Sequence, residues 1–230
     1  MSDNVIQIEG VTGGYGDLIV VRDISFNVRA GETISITGRN GVGKTTFIKI
    51  LSGSLPLSGG KIEFRGVNLS NMAEHKRFNL GISYAPQERI VFDELSVEDN
   101  LTLHYRETDL DRYEDFFDKF PRLKERLKQR AGTLSGGEKK LLSFTRAVAE
   151  PTELVLLDEP TEGVQFDNIN HMSQIISNER SKGRAFIVVD QNLSFLESIT
   201  DAVHLIDHGE QIYYTHEKDF RTEIESRISI

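Results

Sequence analysis

The chain has 230 residues, and a fold of this length buries enough apolar surface to be stable without disulfides. It contains no cysteine, which is typical of a reducing compartment such as the cytoplasm. Asp and Glu number 36 against 27 Lys and Arg, and the formal charge of −9 disfavours a broad contact with nucleic acid or an anionic membrane. We find no run of about eighteen apolar residues and no signal-peptide pattern, and therefore expect any membrane association to come through a protein partner.

The N-terminal segment alternates apolar and polar residues over 5–8 and again over 18–28. This pattern predicts two antiparallel strands, and the Gly-Gly-Tyr-Gly sequence between them predicts a loop that contains Tyr15. The tyrosine ring could stack on a nucleotide base, or it could cover apolar neighbours as an ordinary surface residue. Both interpretations stay open.

A glycine-rich motif, GRNGVGKTT at 38–46, fits the phosphate-binding pattern G-x-x-x-x-G-K-T. A β-branched stretch precedes it and helical apolar spacing follows, so we predict a turn between a strand and a helix, where glycines and the helix N-terminus favour phosphate. Lys44 would reach the β- and γ-phosphates, and Thr45 would offer its hydroxyl to Mg²⁺. The predicted phosphate cradle consists of Gly38, Arg39, Asn40, Gly41, Val42, Gly43, Lys44, Thr45 and Thr46.

The next segment predicts a break at SLPLSGG, a strand at 61–69, a short helix at 72–79 and a strand at 81–85 that ends before Pro86. Gln87 begins the following loop. A loop glutamine is most simply solvated, although this one could carry its amide toward a nucleotide.

A helical insertion is predicted from 97 to 130, where charged residues recur at helical spacing after Ser96, a plausible N-cap. Its predicted small core consists of Phe116, Phe117, Phe120 and Leu123. A further helix would begin at Ser135, Gly136 and Gly137, either as an ordinary cap or with free N–H groups toward a second anion.

The stretch ELVLLDEPTEG at 153–163 predicts a buried parallel strand that ends in two acids. Ligands bind at this end of such sheets, so Asp158 would hold Mg²⁺ and Glu159 would orient or activate an attacking water. Beyond it we predict a helix at 166–180, a strand that ends at Asp190, a helix at 193–199, a hairpin at 202–214 and a C-terminal helix.

Taken in order, the motifs GRNGVGKTT, APQ, LSGGE, LVLLDE and VVDQN resemble those of an ABC-transporter ATPase subunit over nearly the whole chain. The LSGGE segment, about twenty residues before the acidic strand end, is typical of this class. Within it, FPRLKERLKQRAGTLSGGE and VVDQN are similar to the ATPases of branched-chain amino-acid importers, whereas GRNGVGKTT with DEPTEGVQ is more similar to the urea or amide group.

The resemblance implies a fold and a domain organisation. The fold would be α/β, with a P-loop NTPase core of mostly parallel sheet flanked by helices, an antiparallel β subdomain and an α-helical subdomain. Residues 1–230 would form one ABC ATPase domain, with the core and β subdomain at 1–95 and 145–230 and the helical signature subdomain at 96–144.

The resemblance also implies roles for individual residues. Tyr15 would stack on adenine, Gln87 would touch Mg²⁺ or the attacking water, and Asp158 would be the acidic metal ligand. Catalysis would depend on Glu159, Gln191 and Lys44. The ATP held by the opposite subunit would be bound by the signature residues Ser135, Gly136, Gly137 and Glu138.

Two departures from the family pattern affect these roles. Gln191 stands at a switch position that is usually histidine, and its amide cannot carry a positive charge at neutral pH. The D-loop sequence is Glu-Gly-Val-Gln at 162–165, unlike the Ser-Ala-Leu-Asp type of many relatives.

The implied cofactors are ATP and Mg²⁺. The implied partners are transmembrane permease subunits, a second ABC ATPase subunit of the same or a different chain and, indirectly, a solute-binding protein, with the chain at the cytoplasmic face of the membrane. A soluble ABC ATPase acting on DNA or ribosomes is the rival hypothesis, disfavoured by the acidic charge and by the lack of a long coiled coil or a second cassette. A nucleotide-binding subunit with little catalysis is a third. The substrate, the composition of the dimer and the direction of transport stay open.

Overall fold

A computed structural model of the chain describes residues 4–88, 90–105 and 109–228. Strands and helices alternate along most of this part of the chain. The strands are β1 (Asn4–Tyr15), β2 (Leu18–Arg29), β3 (Thr33–Thr37), β4 (Leu57–Phe64), β5 (Val67–Asn68), β6 (Ile82–Ala85), β7 (Leu154–Asp158), β8 (Ala185–Val189), β9 (Ala202–Asp207) and β10 (Glu210–Thr215). The helices are α1 (Lys44–Ser52), α2 (Glu74–Leu80), α3 (Val97–Thr102), α4 (Glu114–Lys119), α5 (Pro121–Glu125), α6 (Gly136–Ala149), α7 (Phe166–Ser181), α8 (Leu193–Ile199) and α9 (Arg221–Ile228).

Two sheets organise the fold. The larger has the strand order β10-β9-β3-β8-β7-β6, and only β10 runs antiparallel to its neighbour. The smaller is antiparallel, with the order β2-β1-β4-β5. A mostly parallel sheet with helices and a separate antiparallel sheet confirm the predicted α/β class.

Strand β7 lies between β8 and the edge strand β6 and is buried on both faces, as its continuous apolar sequence predicts. Val155 and Leu157 belong to the apolar cluster that α6, α7 and α8 cover. Leu154 and Leu156 alternate with them and pack in a second cluster with residues of α1 and of the antiparallel sheet. Because both faces of β7 contact apolar clusters, polar side chains can be accommodated only at the ends of this strand.

Two predicted breaks lie inside strands. Gly13, Gly14 and Tyr15 belong to β1, and only residues 16 and 17 turn the chain; likewise β4 begins at Leu57 and includes both glycines of SLPLSGG. Gly14 and Gly60 mark close approaches between backbones rather than turns. A Cβ on Gly14 would lie 1.9 Å from the carbonyl oxygen of Leu18, and one on Gly60 would lie 2.3 Å from that of Gly10.

The helical insertion comprises α3, α4 and α5. Ser96 caps α3 in a capping box with Asp99, as the predicted cap requires. The four predicted core residues are buried, but they join the apolar cluster of α6 and β7 instead of forming one of their own. The domain division at 96–144 stays a prediction, and α6 continues through its boundary at 144/145. No helix in the described part of the chain is long and apolar enough to cross a bilayer.

A buried arginine, Arg77, stabilises the C-terminal end of α1, the helix that follows the glycine-rich motif. The Arg77 guanidinium donates hydrogen bonds to the carbonyl oxygens of Ile50 and Leu51, in the last turn of α1, and to those of Leu69 and Met72. Carbonyls at a helix C-terminus lack partners within the helix, and Arg77 supplies them. Burial lowers the pKa of Arg77 to about 10.

Replacing Arg77 with Met removes the guanidinium donors from these buried carbonyl oxygens, and Ile50 and Leu69 keep only the backbone N–H groups of Gly53 and Met72. We expect Arg77→Met to lower the free energy of unfolding by about 3 kcal/mol, measured by urea denaturation followed by circular dichroism. Lys76→Met, at the exposed neighbouring position, is the matched control and should stay near the wild type. Equal stability of the two variants would contradict a fastening role for Arg77.

Candidate active site

The carboxyl ends of β3, β7 and β8 meet at one edge of the parallel sheet. Asp158 pairs with Val189, and Ile36 pairs with the same Val189 from the other side. The loops that follow these strands therefore start side by side, and they carry the glycine-rich motif, Glu159 and Gln191.

The glycine-rich loop has the form of a phosphate cradle. It joins β3 to α1, and Gly43, the helix N-cap, has a φ of 112°, which favours glycine. The Lys44 ammonium is buried, with 4% of the residue exposed, and donates to the carbonyl oxygens of Gly38 and Arg39 at 2.8 Å each. Burial lowers the pKa of Lys44, although nearby carboxylates oppose the shift. A cavity of about 280 Å³ opens here, lined by Asn40, Gly41, Gly43, Lys44, Thr45, Thr46, Gln87 and Glu159.

Three side-chain oxygens that could bind a metal lie close together beside this loop, and they come from three separate parts of the chain. The Thr45 hydroxyl lies 3.1 Å from Gln87 Oε1 and 3.2 Å from Asp158 Oδ1. Hydroxyl, amide and carboxylate oxygens suit Mg²⁺, which takes few protein ligands when phosphate oxygens complete its shell. The described residues contain no cluster of three or more His, Cys, Asp or Glu that could bind a metal alone. The donor set therefore fits a metal shared with phosphate.

Asp158 is held in an environment that disfavours its charge. Burial raises the pKa of this carboxyl group to about 6, against the opposing effect of the Thr45 hydrogen bond. The Tyr84 hydroxyl lies 3.4 Å from Asp158 Oδ2. A cation beside Asp158 would remove this penalty.

Polar side chains of the site surround the Glu159 carboxylate. It is the first residue after β7 and has a φ of 47°, a left-handed conformation uncommon for a residue with a side chain. Gln87 Nε2 donates to its Oε2 at 2.7 Å, and Gln191 Nε2 donates to its Oε1 at 3.0 Å. Lys44 Nζ lies 3.9 Å from Oε1. The structure thus brings together Lys44, Gln87, Glu159 and Gln191.

The loop after β8 is anchored by a buried acid. Asp190 accepts hydrogen bonds from the backbone N–H groups of Thr161, Gln191 and Asn192, and from the Thr161 hydroxyl. Burial raises the pKa of Asp190 in spite of these bonds. Gln191 is thereby fixed to the turn that follows Glu159, and its amide also reaches Asn40 Oδ1 at 2.5 Å.

Some predicted residues do not face the cavity. Tyr15, at the end of β1, is 49% exposed and does not line it, so adenine stacking stays a prediction. The Arg39 guanidinium donates instead to the carbonyl oxygen of Ile228 at the end of α9. Val42 packs against the apolar cluster beneath α1. Arg39 and Val42 could therefore serve the cradle only through their backbone.

The signature residues lie elsewhere. Ser135 caps α6 in a capping box with Glu138, whose carboxylate also pairs with Arg126 at 3.1 Å. Ser135, Gly136, Gly137 and Glu138 line a cavity of about 890 Å³. Among the described residues, this cavity and the one at the glycine-rich loop share no lining residue. Within one chain the two motifs are not brought together, and a site made from two chains stays a prediction.

Four residues were missed by sequence interpretation. Tyr84 contacts Asp158, Thr161 binds Asp190, and Lys140 donates to the carbonyl oxygens of Gln87 and Glu159. Asp190 was recognised only as the end of a strand. For Thr161 the signal was its place two residues after Glu159; for Tyr84 and Lys140 no local pattern was available.

A family model described as ABC transporter matches residues 21–162, which include the glycine-rich loop, the signature residues and both acids at the carboxyl end of β7. The chain belongs to the ABC transporter family. ATP-binding cassettes of this family are ATPases, and the chain is therefore an ABC ATPase.

Three relatives of this ABC ATPase align over most of their length. The branched-chain amino-acid transport ATP-binding protein BraG of Pseudomonas aeruginosa is 35% identical over 89% of this chain and 90% of its own. The probable branched-chain amino-acid transport protein LivF of Archaeoglobus fulgidus is 30% identical, covering 86% of each chain. The lipopolysaccharide export protein LptB of Escherichia coli K12 is 33% identical over 84% of this chain and 83% of its own. The resemblance to the branched-chain amino-acid group is confirmed.

Solved structures agree with the ABC ATPase fold. The ATP-binding subunit of an ABC transporter superposes with a TM-score of 0.86 at 22% identity, covering 98% of this chain and all of its own. A nucleotide-free ATP-binding cassette superposes with a TM-score of 0.82 at 21% identity, covering 99% of both chains. At these identities the likeness concerns the fold alone.

The raised pKa of Asp158 makes stability depend on pH. Its folded-state pKa of about 6 lies above the ordinary value, so ionised Asp158 destabilises the fold above about pH 7, and the penalty disappears as the pH falls toward 4. In nucleotide-free protein with EDTA, Asp158→Asn should raise the free energy of unfolding by about 2 kcal/mol at pH 8 and by almost nothing at pH 4. Urea denaturation at both values measures this. Exposed Asp118→Asn is the control, and a gain at pH 8 no larger than that control would refute the interpretation.

Proposed function

We propose that this ABC ATPase is the ATP-hydrolysing subunit of an importer that takes up branched-chain amino acids or a related small solute. The observation that carries the proposal is the alignment with BraG, at 35% identity over 89% of this chain and 90% of the relative. The arrangement around Glu159 supplies the hydrolytic part.

In the proposed reaction, Lys44 and the N–H groups of the glycine-rich loop bind the β- and γ-phosphates. Thr45, Gln87 and Asp158 would hold Mg²⁺, which when bound neutralises charge on the phosphate oxygens. Glu159 positions the attacking water and accepts its proton. Gln191 fixes the Glu159 carboxylate and can donate to the γ-phosphate, but as a neutral amide it supplies no positive charge there.

The signature residues would complete the site of a second cassette. Ser135 to Glu138 line a cavity apart from the ATP cavity, so ATP on one chain would meet the signature residues of the other. ATP would favour the closed pair because its γ-phosphate adds contacts that ADP cannot make.

A permease would bind beside the Gln87 loop. A groove of about 830 Å³ lies between α2, β6 and the helical insertion and is lined in part by Phe78, Phe92, Leu103 and His104. The loop at 87–92 joins this groove to the ATP cavity, and Arg89 within it lies outside the described residues. A transmembrane partner there would hold the chain at the cytoplasmic face of the membrane, and a solute-binding protein would act through that partner.

Two other substrates have support. LptB, a lipopolysaccharide export protein, is 33% identical over 84% of this chain, which favours export as the second candidate. The GRNGVGKTT and DEPTEGVQ motifs favour a urea or amide solute within the importer hypothesis.

Glu159→Gln tests the catalytic role. We expect phosphate release to fall at least about 100-fold, because a proton acceptor is lost, while ATP binding persists and the protein accumulates as an ATP-bound dimer in light scattering. Glu153→Gln is the matched control, because Glu153 is an exposed acid that directly precedes β7, at the end of the strand opposite to Glu159. Its turnover should stay near that of the wild type. Normal turnover in Glu159→Gln would remove Glu159 from the mechanism.

A deletion strain tests the importer proposal. Uptake of labelled leucine should be lost in cells that lack this chain, and wild type should restore it where Glu159→Gln does not. Purification of the tagged chain from mild-detergent membranes should recover a permease and a second ATPase. Normal uptake of leucine, valine, isoleucine and urea would overturn the importer proposal, and recovery of an export permease would support the second candidate.

A further inference from the structure

Lys140 is a buried cation without a role in the mechanism above. It lies near the start of α6, five residues after Ser135, and only 8% of it is exposed. Its ammonium donates to the carbonyl oxygen of Gln87 at 3.1 Å and to that of Glu159 at 3.0 Å. The Glu162 carboxylate lies 3.6 Å away. The two carbonyl oxygens accept two of the three N–H donors of the lysine, and Glu162 is an ion-pair partner beyond hydrogen-bond distance.

The two carbonyls belong to residues that line the ATP cavity, whereas Lys140 lines the signature cavity. Since the cavities share no lining residue among those described, these hydrogen bonds link them directly. The start of α6 also touches the turn before α7 through its backbone, because a Cβ on Gly137 would lie 2.6 Å from the carbonyl oxygen of Gly163.

The backbone of Glu159 needs such a partner. Its φ of 47° is a conformation that costs a residue with a Cβ about 1 kcal/mol or more, and its surroundings must maintain it. The Glu159 N–H donates to the carbonyl oxygen of Val189 at 2.7 Å, and Lys140 holds the carbonyl on the other side. With both groups bound, the carboxylate is aimed at Gln87 and Gln191.

We propose that Lys140 is a positioning residue that sets the Glu159 carboxylate and transmits movement of the signature end of α6 to it. The inference rests on the proposed function, because it takes the signature residues to bind the nucleotide of a second cassette. A shift of α6 when Ser135 to Glu138 engage that nucleotide moves Lys140 and, through two carbonyls, both Gln87 and Glu159. A displacement of about 1 Å at a catalytic group is enough to change the rate.

Steady-state kinetics on three variants test the positioning role. Lys140→Met removes the ammonium and keeps the length of the side chain; Lys140→Gln retains N–H donors without charge. Lys139→Met is the matched control, since Lys139 is the neighbouring lysine and pairs with Asp93 away from the site. We expect kcat to fall at least tenfold in Lys140→Met, with the KM for ATP within twofold of the wild type. Lys140→Gln should recover part of the loss, and Lys139→Met should lose nothing.

A double-mutant cycle tests the transmission. If Ser135 and Lys140 act along one path, Ser135→Ala combined with Lys140→Met should lower kcat no further than the more damaging single change. Multiplied losses would refute transmission. An unchanged kcat in Lys140→Met, or a loss of ATP affinity that Lys140→Gln does not relieve, would refute positioning.

The two proposals fail in different assays. Failure of the importer proposal is an unchanged uptake in the deletion strain, and it leaves the kinetic comparison readable because the wild type is an ATPase. Should Lys140→Met prove unstable in urea denaturation, Lys140→Gln carries the same test: a kcat below that of the wild type at unchanged KM supports the inference, and wild-type kcat refutes it.

Discussion

The register of β7 between β6 and β8 is the constraint on which the site depends. Leu157 pairs with Ala85 on one side and Val188 on the other, so the apolar run ends level with its neighbours and Asp158 emerges beside α1. Because side chains alternate along a strand, a slip of one residue would turn Asp158 to the opposite face, away from Thr45. Apolar packing on both faces of β7 excludes that slip, and the core thereby determines where the polar groups stand.

Local patterns predicted much of this arrangement. A continuous apolar run followed by acids identified β7, and the helical spacing at 193–199 matched α8 in full. The meeting of Gln87, Glu159 and Gln191 follows from a general property of parallel sheets, that the carboxyl ends of neighbouring strands share an edge. For these parts, the sequence contains both the element and its position.

The features that sequence interpretation missed depend on distant residues. Glycine at 14 and 60 signals a turn locally, but here it permits neighbouring backbones to approach. Nothing within the glycine's own segment reveals the segment that it approaches. Lys140 has partners 53 positions before it and 19 after it, so its helix looks merely amphipathic. Tyr15 shows the reverse case, because the family resemblance suggests a nucleotide-stacking role for a ring that does not line the cavity at the glycine-rich loop.

The burial of Asp158 has a consequence for the stability of the protein in the cell. In the proposed ATP site, burial opposes the charges of Asp158 and Lys44, and bound Mg²⁺ and phosphate would supply the opposite charges. Ligand at a thousand times its Kd adds about 4 kcal/mol to the folded state by mass action. A cassette without nucleotide would then unfold more often than one with nucleotide bound, and proteases would degrade it sooner. Cellular ATP would set the abundance of the subunit as well as the rate at which it works.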